Sequence, residues 1–180
     1  MRDVRYRWHR KDAQDQQGYW TAEYPDGSIG FFGTSSEDRS LAGKVADRAG
    51  QIFGLQGTYR WYLQSKLDPN GNKIEYSYLR DGGQLYISTI RWVFKTDKTS
   101  LYTVFFKYQT NDRVDPTSDA KPGFVITTRK LLDQIIIQAD GKSLRTYKLT
   151  YDAPAGLSRL TRVLQYGRDE TSIHPIFFTM

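Results

Sequence analysis

Apolar and aromatic residues alternate with polar ones at a period of two along most of this chain, and Asp-Gly or Asn-Gly pairs punctuate the alternation. No other feature constrains the fold as much. Side chains two apart share one face of a strand, whereas a helix needs spacings of three and four. Segments of this kind are Val4–His9, Tyr19–Tyr24, Ser28–Phe32, Tyr59–Gln64, Lys73–Arg80 and Leu85–Phe94. They continue with Leu101–Tyr108, Phe124–Arg129, Leu132–Gln138, Ser143–Tyr151, Leu160–Tyr166 and Ile176–Thr179. Within Lys73–Arg80, Ile74, Tyr76 and Tyr78 share one face and Glu75 and Ser77 the other. The pairs Asp26-Gly27, Asn70-Gly71, Asp81-Gly82 and Asp140-Gly141 accept positive φ and predict type I′ hairpin turns. Strands this close in sequence leave no room for crossover helices. The expected fold is all-β, with antiparallel Tyr-rich hairpins forming a large curved sheet.

Two stretches depart from the alternation. Ser36–Gly50 places Leu41, Val45 and Ala49 at i, i+4 and i+8, with Ser36 or Ser40 as a possible cap, but Gly43 weakens it. A short helix and a polar loop fit it equally. Thr110–Gly123, with Asn, Asp, Ser and two prolines, reads as an exposed excursion between strands. Neither has the length or bias of an interdomain linker, so residues 1–180 are read as one module.

Composition narrows the chemistry. The chain has 13 tyrosines, 9 phenylalanines and 4 tryptophans, but only 2 histidines and no cysteine. Absent cysteine excludes disulfides, a thiolate nucleophile and Cys-ligated metal. A formal charge of +6 over 180 residues is modest. Arg2, Arg5, Arg7, Arg10 and Lys11 gather near the start, yet on a strand Arg5 and Arg7 point away from Val4, Tyr6 and Trp8. That describes a solvated basic face, and no RNP motif, finger spacing or basic helix argues for nucleic acid. No apolar run is long enough to span a bilayer, and Met1–Tyr6 lacks the apolar stretch of a Sec signal peptide.

Loose internal repetition follows the turns. Asp68-Pro69-Asn70-Gly71-Asn72 leads into Ile74-Glu75-Tyr76-Ser77-Tyr78, and Asp140-Gly141 leads into Arg145-Thr146-Tyr147-Lys148-Leu149-Thr150-Tyr151. Tyr24-Pro25-Asp26-Gly27-Ser28 with Phe31-Phe32-Gly33 is a looser copy. The first of these resembles the D-x-N-G-N…Y-x-Y pattern of Rhs/YD-type shell proteins. Together with Trp61–Leu67 and Ser158–Gly167, their collinear order resembles the N-terminal region of SpvB-like virulence-plasmid B proteins. That region is shared with the B component of insecticidal Tc toxin complexes, and the resemblance spans about residues 19–180.

The resemblance implies a structural role. In Tc complexes the B and C components form a hollow β-sheet cocoon around the cytotoxic segment of C, and a propeller on B docks the pore-forming A component. The implied function is a shell segment of a secreted toxin complex. Its partners are then a C-type component with its cargo, and an A component reached through a propeller absent from these residues. No catalysis, cofactor or metal is implied, and no nucleic acid or membrane span. The segment Thr34–Gly57 matches nothing specific. The residues tied to this reading are the turn–strand motif Asp68, Asn70, Gly71, Asn72, Tyr76 and Tyr78.

Other chemistries fail on their residues. A calcium loop begun at Asp68 and Asn70 would carry Asn72 at its fifth position but Leu79 at its twelfth, where a Glu is needed. Aspartyl autoproteolysis needs a second carboxylate partner, and Asp115-Pro116-Thr117-Ser118 lacks the glycine of Asp68-Pro69-Asn70-Gly71. ADP-ribosyltransfer needs a Glu-x-Glu loop, and none exists. His9 and His174 have no G-x-S-x-G or other nucleophile motif to serve. One rival survives: Trp8, Trp20, Trp61, Trp92 and the tyrosines as an aromatic platform, making the chain a stand-alone carbohydrate- or protein-binding module.

Overall fold

The computed structural model describes residues 3–10, 18–34, 48–96, 99–168 and 171–177. In chain order the strands are β1 (Arg5–His9), β2 (Tyr19–Glu23), β3 (Ile29–Phe32), β4 (Gln51–Gly54), β5 (Gly57–Trp61), β6 (Leu63–Leu67), β7 (Lys73–Asp81) and β8 (Gln84–Phe94). They continue as β9 (Ser100–Tyr108), β10 (Thr117–Asp119), β11 (Ile126–Thr128), β12 (Leu132–Ala139), β13 (Lys142–Asp152), β14 (Arg159–Tyr166) and β15 (Ser172–Phe177). Eleven of them form one sheet in the order β1-β2-β3-β6-β7-β8-β9-β12-β13-β14-β15. Every neighbour in it pairs antiparallel. β4–β5 and β10–β11 are separate two-stranded ribbons.

Register turns the alternation into two unlike faces. One face carries the rows Ile74–Trp92–Tyr102–Ala139, Tyr76–Ile90–Val104–Ile137 and Phe106–Ile135–Tyr147. Between them, on the opposite face, runs Glu75–Arg91–Thr103–Gln138–Ser143. The apolar rows remain half-buried. Among the described residues full burial gathers around the β1–β8 half, against which β11 packs: Ile52 of β4, Leu85 of β8 and Ile126 of β11 form a cluster with Tyr62, Tyr78 and Phe124 around it. The two ribbons therefore supply the lid of this small core.

Turn chemistry departs from expectation in an instructive way. Only Asp140 (φ 50°) and Gly141 (φ 74°) make the expected type I′ turn at an Asp-Gly pair, with Ala139 facing Lys142. In the β7–β8 hairpin the turn lies one residue later: Gly82 (φ 58°) and Gly83 (φ 78°) are its centre, and Asp81 pairs with Gln84. The other two are three-residue loops. Gly27 N–H donates to Tyr24 C=O and Tyr24 N–H to Ser28 C=O, both at 2.9 Å; Gly71 N–H donates to Asp68 C=O at 3.1 Å and Asp68 N–H to Asn72 C=O at 3.0 Å. The reason is Pro25 and Pro69, whose rings hold φ near −65° where a type I′ turn needs it positive. Each proline selects a type I turn, and the following Gly27 (φ 78°) or Gly71 (φ 87°) takes the left-handed step.

Other expectations are also corrected. Tyr59–Gln64 is not one strand: it breaks at Tyr62 between β5 and β6, which lie in different sheets. The break is held by Tyr62 N–H on Gly50 C=O at 2.8 Å and Gly33 N–H on Tyr62 C=O at 3.0 Å. Phe124–Arg129 contracts to β11, outside the main sheet, and pairs with β10 inside the stretch expected to be a plain loop. β4 lies in a segment where no strand was expected. Of Ser36–Gly50, residues 36–47 lie outside the described ones, and Arg48–Gly50 form a 3₁₀ turn. The last strand begins earlier than Ile176, at Ser172, and residues 178–180 lie outside those described. No helix among the described residues is long and apolar enough to cross a membrane.

Candidate functional site

The turn–strand motif divides between one end of the sheet and its core. Asp68 closes the turn with its own side chain: Oδ1 accepts Asn70 N–H and Asn72 N–H, both at 2.8 Å, and Oδ2 accepts Asn72 Nδ2 at 2.7 Å. These bonds, led by that from the Asn72 side chain, hold the carboxyl below its ordinary pKa. The structure thus brings Asp68, Asn70, Gly71 and Asn72 together. Tyr76 and Tyr78 stand further along β7, facing Ile90 and Ile87. Burial raises the Tyr76 phenol. Tyr78 donates its hydroxyl to Leu63 C=O at 2.6 Å and meets the Tyr62 ring edge-on at 5.1 Å, and burial pushes its pKa far up. The Asp68 carboxylate is thus engaged within its own turn and the Tyr78 hydroxyl on the half-buried Leu63 carbonyl. Among the described residues no group of three or more His, Asp or Glu side chains converges to hold a metal.

The tryptophans do not form one platform. Trp8 and Trp20 rings lie 5.1 Å apart, Trp8 and Trp61 5.3 Å, and Trp20 and Trp61 6.3 Å, the last two edge-on. Trp61 Nε1 donates to Gly18 C=O at 3.1 Å, and a Cβ on Gly18 would overlap the Trp8 indole. These rings pack on one another. Trp92 is apart, stacked on Tyr102 at 5.4 Å. The basic face at the start is partly neutralised, since Arg7 Nε reaches Glu23 Oε1 at 2.9 Å and Arg5 lies 3.8 Å from Glu23 Oε2. His9 bonds Thr21 Oγ1 at 2.9 Å, a structural engagement.

A polar network that sequence reading passed over ties the Thr110–Gly123 stretch to the sheet. Arg113 grips Asp115 in a bidentate pair at 2.8 and 2.9 Å, and Asp115 also accepts Ser158 N–H at 3.0 Å and the Ser158 hydroxyl. Arg113 holds the Asp115 carboxyl well below the usual range, with Ser158 adding to it. Arg129 makes a second bidentate pair with Asp81 at 2.7 and 2.8 Å, and Lys130 meets Asp112 at 2.7 Å. Arg129 N–H also donates to Tyr86 Oη at 2.9 Å. The Asp115-Pro116 pair, noticed only for its missing glycine, was the one sequence signal for this fastening.

Comparison with known proteins agrees with this architecture. Residues 3–100 match the family model described as Salmonella virulence plasmid 65kDa B protein, SpvB, which covers more than half of the chain. The N-terminal domain of effector protein SpvB from Salmonella typhimurium strain LT2 is similar in structure, with TM-score 0.76 and 17% identity over 92% of this chain and 65% of that one. TcdB2-TccC3 is similar at TM-score 0.77 and 17% identity, and its form without the hypervariable C-terminal region at 0.78 and 18%. Both cover 98% of this chain but 11% of theirs, so the chain spans a small part of those structures. No curated protein sequence matches it. With the family model and the eleven-stranded antiparallel sheet in agreement, the chain belongs to the SpvB family.

Proposed function

We propose that this chain is a structural wall segment of a toxin-complex component, helping to enclose or deliver a cytotoxic cargo and performing no catalysis of its own. The observation that carries the reading is the open eleven-stranded sheet with unlike faces, ending at β1 on one side and β15 on the other. Such a sheet is a panel: its apolar rows face one way, its charged and polar row the other, and its outermost strands have no further strand paired to them among the described residues, which leaves pairing capacity along those edges. Family membership and likeness to the TcdB2-TccC3 structures support the same role. The partners are a C-type component with its cargo, and a pore-forming A component engaged through a propeller outside these residues. The assembly acts outside the cell.

The test is co-expression of the full reading frame that carries this segment with a C-type component, followed by single-particle imaging of the product. A closed shell with this sheet continuous with neighbouring strands is expected. A free-standing sheet, with no C-type component bound, would overturn the proposal.

A further inference from the structure

One basin on the molecule is not accounted for by wall building. It lies where the β2–β3 turn, the β6–β7 turn and the end of β8 meet, and the two turns are close enough that a Cβ on Gly27 would stand 3.1 Å from Pro69 Cγ. The cavity measures about 630 Å³, within the span of about 300–1,000 Å³ usual for small-ligand sites, and Asp26, Lys66, Trp92 and Val93 are among its lining.

The local backbone is strained at this point. Val93 sits inside β8 at φ 54° and is 51% exposed. The left-handed region is strained for a β-branched residue, and such strain gathers at ligand clamps. Beside it the Phe94 ring receives Lys73 Nζ at 4.5 Å and Arg91 at 6.0 Å, so the kinked end of β8 is pinned. Trp92, immediately before the kink, is the tryptophan left out of the Trp8–Trp20–Trp61 cluster.

The lining selects a ligand by elimination. Phosphate is disfavoured, because Lys73 is already paired with Glu75 at 2.7 Å and Asp26 and Asp68 add negative charge. A cation is disfavoured as well, since both Asp68 oxygens are used within its own turn. Asp26 turns Oδ1 to Ser28, accepting its N–H at 2.9 Å and its hydroxyl at 2.6 Å, and Oδ2 takes no part in that pair of bonds. What remains is an indole, stacked on Tyr102 on one side, that lines the basin together with one carboxylate and one ammonium group. A pyranose ring offers the matching parts: an apolar C–H face for stacking and hydroxyls that both donate and accept.

We propose that this basin is a saccharide-binding site, with a sugar ring against Trp92 and its hydroxyls bonded to Asp26 and Lys66. The test is isothermal calorimetry of the full chain with cellobiose, chitobiose and lactose up to millimolar concentrations, read by heat so that losing a tryptophan does not remove the signal. At least one sugar should bind saturably. Trp92→Ala should weaken it about tenfold, or about 1.4 kcal/mol. Asp26→Asn should weaken it too while keeping the Oδ1 acceptor of the turn, and this variant decides the matter should Trp92→Ala fail to fold. Absence of saturable heat with all three sugars overturns the proposal, and so does unchanged affinity in the folded variants.

Discussion

Gly71 sits at φ 87° with nothing within 4 Å of the place a Cβ would occupy, so a side chain there meets open space and only the backbone resists. Gly71→Val should therefore cost about 1–2 kcal/mol, the penalty of an L-residue in the left-handed region, and Gly71→Asn distinctly less. Thermal melting checks this; equal midpoints for the two variants would contradict it. Acid lability is also set residue by residue. Asp115, Asp81, Asp68, Asp26 and Asp152 are held below their ordinary pKa by hydrogen bonds from Arg113, Arg129, Asn72, Ser28 and Arg159 respectively. A folded-state pKa below the unfolded one means stability fully present above about pH 4 and lost as pH falls through the folded values. The melting midpoint should accordingly hold steady from neutrality to about pH 5 and then drop. Asp115→Asn should lower the neutral midpoint and flatten the acid slope.

Strands and ribbons set the next level. Ile52 on β4 is fully buried against Leu85 and Ile126, so Ile52→Ala should cost about 2–5 kcal/mol and loosen the β4–β5 ribbon before the main sheet. Hydrogen exchange along the two ribbons would show the order of loss. Burial delays two phenols most: Tyr108, with its hydroxyl on Ile87 C=O at 2.8 Å, is pushed up to about 12, and Tyr78 further. A phenolate absorbance titration should show these two ionising late, well above the ordinary tyrosine value. Because their folded pKa values are raised, the stability they contribute is present below about pH 10 and lost as pH rises through the folded values. Tyr78→Phe removes one half-buried bond to the Leu63 carbonyl and should cost about 1 kcal/mol. At this scale the strands of the main sheet were legible, because two-residue alternation in Leu101–Tyr108 or Leu132–Gln138 is a local property. What escaped was non-local. Nothing near Gln51–Gly54 announces that Ile52 will cap Leu85, and the break at Tyr62 depends on Gly50 and Gly33. Turn class was half legible: the glycines marked the turns, while the prolines before them decided the type.

For the whole molecule, the main sheet is one continuous surface from Arg5–His9 at one edge to Ser172–Phe177 at the other. The strongest sequence motif, Asp68 to Asn72, lies at one end of it beside the Trp92 basin, a juxtaposition created by β7–β8 pairing and invisible along the chain. The wall role was accessible from sequence only through collinear resemblance, since alternation alone describes a sheet without saying what stands behind it. Protease protection tests that role most directly. The cargo segment of a C-type component is digested in the presence and absence of the full-length protein containing this sheet. The wall reading predicts that co-assembled cargo survives protease that destroys free cargo, and that Gly71→Val shortens this protection in step with its loss of stability. Cargo digested equally fast with and without the protein would contradict it.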